Sequence, residues 1–140
     1  MKKQVDVLFP KAKCYRLRAG MIMWKKVYDS TFCHHAIVKL YVPSGARLVR
    51  AFNGRVLQEK LRVDRAKVLE IVVYKRRRDT PPGGRRRRLT RAYSGYDADF
   101  SYVVGETVRP KRAFDDSACR VCTSGIHCYR TRQAAVGHYL

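Results

Sequence analysis

The apolar positions of this chain fall in short β-branched runs separated by turn residues, a pattern that predicts strands rather than long helices. The clearest pair is AIVKLYV at 36–42 and ARLVRAF at 46–52, divided by Pro43-Ser44-Gly45. Proline cannot donate to a ladder and glycine tolerates a sharp reversal, so two strands with a tight connection are expected there. Asn53-Gly54 comes next and suits the positive φ of a hairpin turn, so RVLQEKLRV at 55–63 is expected to pair back. KVLEIVVY at 67–74 carries Val68, Ile71, Val72 and Val73, too continuous an apolar run for an exposed edge, which predicts a central strand. Upstream, Met21, Met23, Lys25 and Val27 alternate with Ile22, Trp24, Lys26 and Tyr28, as in a strand apolar on both faces at its start. FSYVV at 100–104 reads as a short strand, and Thr131 as the cap of a short helix with a stripe of Ala135, Val136, Tyr139 and Leu140. The fold expected is α+β: a small, mostly antiparallel or mixed sheet, a short C-terminal helix and a long basic loop.

Length and charge narrow this further. The chain has 140 residues, with 31 Lys+Arg against 11 Asp+Glu and a formal charge of +20. That length suits one domain, and a domain of about this size hides roughly 68% of its unfolded surface. Residues 1–20 read as a basic N-terminal arm, and 21–140 as a single globular domain carrying a basic loop at 75–91. No run approaches the roughly 18 apolar residues of a membrane span, and Asp6, Pro10 and Lys11 interrupt any signal-peptide core. A soluble, non-secreted protein is expected. The five cysteines, Cys14, Cys33, Cys119, Cys122 and Cys128, are odd in number and too sparse for a disulfide scaffold. A surplus of positive charge this large works against compaction, so the chain gains from meeting an acidic partner.

The basic loop is the strongest candidate for such a contact. Lys75, Arg76, Arg77, Arg78, Arg85, Arg86, Arg87, Arg88 and Arg91 face only Asp79, around the break Pro81-Pro82-Gly83-Gly84. A guanidinium forks two donors onto carboxylate or phosphate, where an ammonium is a point charge. Tyr93, Tyr96, Phe100 and Tyr102 follow and could stack on bases. Charge runs specify sign and not partner, so acidic protein, nucleic-acid phosphate and a merely solvated loop all stay open.

Other constellations carry less. Cys119, Cys122, His127 and Cys128 supply zinc-ligand types, but an adjacent His-Cys pair cannot easily turn both side chains onto one ion. Cys119, Cys122 and Cys128 therefore remain a minor metal alternative, and no metal or cofactor is expected. Asp97 and Asp115 sit in turn contexts, where Asp bonds its own backbone. No GxSxG, HExxH, P-loop or GxGxxG pattern occurs, which argues against an enzyme.

Several blocks together resemble a known family. They are RVDRAKVLEIVVY at 62–74, Tyr96-Asp97, Tyr102-Val103-Val104-Gly105-Glu106 with Val108 and Pro110, and Phe114-Asp115-Asp116. The last is Cys122-Thr123-Ser124-Gly125-Ile126-His127, followed by Tyr129 and Thr131-Arg132. The chain is similar in these to an uncharacterised small domain of large DNA viruses and phages, often beside pentapeptide repeats, with a C-x-x-G-I-H block. It departs by inserting the arginine loop and by placing Cys128 where an aromatic is usual. The block reads as a structural corner: Gly125 for close approach, Ile126 for the core, His127 to bridge backbone groups, Thr131 to start the helix. The resemblance implies a viral genome and little chemistry. Joined to the charge, it leads to the expectation of a non-enzymatic minor capsid or cement protein. Such a protein would be made in the host cytoplasm, carried in the virion and held to acidic faces of capsid subunits, with nucleic-acid binding as the alternative.

Overall fold

Strands with one apolar face need a second layer to cover it, and this chain supplies one by folding two sheets around a common core. The computed structural model describes residues 4–31, 34–54, 56–74, 87–95, 97, 99–121 and 123–137. Readings placed on Lys75, Arg76, Arg77, Arg78, Arg85, Arg86, Cys33, Tyr96, Cys122, Tyr139 and Leu140 therefore fall outside the described residues. The first half of the chain forms α1 (Gln4–Leu8), β1 (Lys13–Arg16), β2 (Met21–Tyr28), β3 (His35–Val42), β4 (Arg47–Asn53) and β5 (Val56–Val63). The second half forms β6 (Ala66–Tyr74), β7 (Arg91–Tyr93), β8 (Ser101–Val103), β9 (Thr107–Val108), β10 (Ile126–Cys128) and α2 (Arg132–Val136).

One sheet has the order β1-β4-β5-β10 and the other β8-β7-β2-β3-β6-β9, with antiparallel pairing throughout the described strands. The expectation of one small sheet is corrected accordingly: there are two. The reason is that β4 and β5 pair with each other and with β1 and β10, never joining β3 across the Pro43–Gly45 turn. Gly45 takes φ 86° there, which lets the chain leave one sheet and enter the other. β6 lies between β3 and β9, inside its sheet.

The core unites Met23, Val27, Val38, Leu40, Val68 and Ile71 of the larger sheet with Leu48, Leu61, Val63, Ile126 and Cys128 of the smaller. Trp24 and Tyr129 exchange two backbone hydrogen bonds of 2.8 and 2.7 Å, which stitches the end of β10 to β2. Residues 4–20 carry α1 and β1, and Val5 and Phe9 sit in the same core. None of the described helices is long and apolar enough to cross a membrane.

Two arginines are buried inside the smaller sheet. Arg50 donates to the carbonyls of Val5 and Phe9 at 3.2 and 2.6 Å, to Gln58 O at 2.9 Å and to Asp6 at 2.6 Å. A guanidinium can be buried only when its donors are satisfied, and here satisfying them fixes α1 against β4.

Candidate functional site

The basic edge is built on β6. Val73 N donates to Arg87 O at 2.8 Å and Leu89 N to Ile71 O at 2.9 Å, so residues 87–89 run along the outer edge of that strand. Strand alternation turns Leu89 against the core and Arg88 outward, and Arg87, on the Leu89 side, has its side chain exposed as well. Arg88 lies 3.6 Å from Glu70, with 78% of its side chain exposed. Arg87 is 61% exposed and lies 3.5 Å from Asp29, and Arg91 is exposed on β7. Asp29 is the fixed point. Burial pushes its carboxyl up, but hydrogen bonds from Thr31 and His34 outweigh this and bring its pKa to about 2. Exposed pairs this long contribute little, so both guanidinium groups stay available to another anion.

Six of the eleven acids face a cation of the same chain. Asp6, Asp29, Asp64, Glu70, Asp97 and Asp115 each face a lysine or arginine within 4.0 Å. Two of the aromatics following the loop are engaged too. Tyr102 is buried in the core, and Phe100 packs on it at 5.2 Å and on the core itself, so neither ring is free to stack on a base.

The second feature is the corner around β10. Arg62, buried in β5, donates to the carbonyls of Asp115 at 3.0 Å, Arg120 at 2.6 Å and Ser117. One side chain thus holds the loop 115–120. Gly125 passes directly over its stem: a Cβ there would stand 2.9 Å from Arg62 Cδ and 3.0 Å from Cβ and Cγ. Ile126 enters the core opposite Val63. Thr131 caps α2, its hydroxyl accepting from Ala134 N at 3.2 Å. Asp97 and Asp115 accept from the amides of Asp99 and Ser117, the local turn bonding their contexts predict.

Beside β10 opens a cavity of about 700 Å³. His127 forms part of its wall, together with Lys25, Lys60, Lys111, Arg112 and Asp97. Lys25 projects on the Met23 and Val27 face of β2, and its Nζ donates to His127 O at 2.9 Å. Burial lowers its pKa to about 8; Cys128 acts the other way and Lys60 adds to the lowering. Burial also lowers His127 to about 3, helped by Lys25, Lys60 and Arg62, so the ring is neutral. Sequence reasoning missed Lys25, Lys60, Arg62 and Arg112. The signal was present for Lys25 alone, a lysine on the apolar-alternating face of a strand.

The cysteines divide. Cys119 is exposed with Sγ 2.9 Å from Ser117 Oγ, whereas Cys128 is buried with its thiol 3.3 Å from Met23 Sδ and its pKa pushed up to about 12 by burial. Among the described residues no three His, Cys, Asp or Glu side chains gather as a metal would require, and Cys122 and His138 lie outside them.

The pattern of a family described as a family of unknown function, DUF5758, matches residues 6–135. An uncharacterized protein of Acanthamoeba polyphaga mimivirus, L223, is 27% identical over 132 residues, which are 91% of this chain and 77% of that protein. No solved structure matches.

Proposed function

This chain belongs to the DUF5758 family and is similar to a mimivirus protein, and from that premise we propose that it is a non-enzymatic virion protein. In this reading it is a minor capsid or cement protein of a large double-stranded DNA virus. It is made in the host cytoplasm and grips acidic faces of neighbouring capsid subunits through Arg87, Arg88, Arg91 and the arginines preceding them. The observation that carries the reading is the commitment of the acids. Four of the eleven, Asp6, Asp64, Asp97 and Asp115, are matched by cations away from this edge, so a charge of +20 calls for neutralisation from outside. The burial of Tyr102 and the packing of Phe100 favour an acidic protein over single-stranded nucleic acid, whose bases need free rings.

The test separates the two partners. Purified virions should contain the chain in fixed ratio to the coat protein and release it in high salt. DNA affinity of the isolated protein should be weak at physiological salt. Tight duplex binding that falls steeply with salt and is lost when Arg85, Arg86, Arg87 and Arg88 become Ala would assign the surface to nucleic acid instead. Absence from virions would remove the reading.

A further inference from the structure

The basic edge does not account for the cavity beside β10. Its wall combines Lys25, Lys60, Lys111 and Arg112 with one carboxylate, Asp97, and that carboxylate is held by Lys111 at 2.8 Å. Lys25 is 9% exposed and has three donors, yet its hydrogen bond goes to a neutral carbonyl, that of His127. No described salt bridge reaches it. A buried ammonium without a counter-ion is costly, and the usual remedy is a paired anion. On the same wall His127 Nε2 is buried with no hydrogen-bond partner, a second polar atom left unsatisfied. Nearby thiol and phenol groups supply no charge, because burial raises the pKa of both Cys128 and Tyr102. Phe100, Pro110 and Ile126 add apolar surface, and the volume of about 700 Å³ lies within the range of small-molecule sites, about 300–1,000 Å³.

We infer that this cavity binds a small molecule bearing a phosphate or carboxylate group, the anion seated on the Lys25 ammonium and a hydroxyl of the same molecule donating to His127 Nε2, the acceptor nitrogen of a ring whose N–H faces the Thr123 backbone. The two unsatisfied groups would be satisfied together, and the other cations of the wall would hold the anion in place. This goes beyond the gripping surface and is independent of it, since Lys25 and His127 are not among the arginines of the exposed edge.

The experiment uses the full chain with inorganic phosphate as probe, and separately acetate, in a constant chloride background that occupies surface cations. Ring signals of the four histidines are followed by NMR. The expected result is a saturable shift of the His127 ring with one of the two anions, while His34, His35 and His138 show none. Lys25→Met should weaken that response by about tenfold or more, the weight of one charge-assisted hydrogen bond. Arg18→Gln, on an exposed residue that does not line the cavity, should leave it unchanged. If Lys25→Met fails to fold, Lys60→Gln serves, with a weaker response again expected. A His127 ring that responds to neither anion, a non-saturating drift shared by all four rings, or a response that survives the folded variant would overturn the inference.

Discussion

Lys25 shows how one side chain can work against the fold that contains it. Its folded pKa of about 8 lies below the ordinary 10.5 because burial disfavours the charge. The unfolded chain therefore holds the extra proton between these values, and stability from this group rises with pH across that window. The penalty is present in full below about pH 8. Lys25→Met should thus stabilise the protein at pH 7 by roughly 1–3 kcal/mol, with the gain shrinking as pH approaches 10, as urea unfolding at several pH values would show. His127 gives the acid counterpart. With a folded value of about 3 against 6.5, the unfolded state takes up its proton first, so stability falls as pH drops below about 6.5. His127→Gln should flatten that acid limb. Gly125 makes a steric claim: a methyl group there meets the buried stem of Arg62 at about 3 Å. Gly125→Ala should cost about 1–3 kcal/mol by the same unfolding measurement, because neither the strand nor the clamped arginine can give way.

At the scale of elements, the strands that depend on near neighbours were legible in the sequence. β3, β4, β5 and β6 follow their β-branched alternation and the two turns that punctuate it, and α2 follows its Thr131 cap. β1, β7, β9 and β10 were not. They are two to four residues long and exist because distant partners pair with them, as Cys14 does with Val49 and Ile126 with Val63. No local period can announce such pairing. The same holds for the candidate site. The lysine on the apolar face of β2 could be seen, but its meeting with His127 spans 102 positions of sequence. Residues 1–20 read as a basic arm by composition, and within that stretch Arg50 donates to the carbonyls of Val5 and Phe9, a contact with no local signal. Arg50→Met should strip those acceptors of their partner. Hydrogen exchange would then show loss of amide protection at Phe9, whose N–H is bonded to Val5 O at 2.9 Å, before the strands are affected.

The whole molecule is a two-sheet scaffold that, among its described arginines, keeps Arg50 and Arg62 inside for its own construction and exposes most of the others. With 31 Lys+Arg against 11 Asp+Glu, and four of those acids paired away from the basic edge, the exterior is an unbalanced positive field that salt will screen over about 8–10 Å. If that field exists to grip an acidic coat, the arginines at 85–88 are covered in the particle and uncovered in the isolated chain. Arginine-selective labelling read by mass spectrometry, on intact virions and on the free protein, measures this directly. Strong protection of Arg85, Arg86, Arg87 and Arg88 in the particle is the predicted result. Equal labelling in both states, or a particle that lacks the chain, would contradict it.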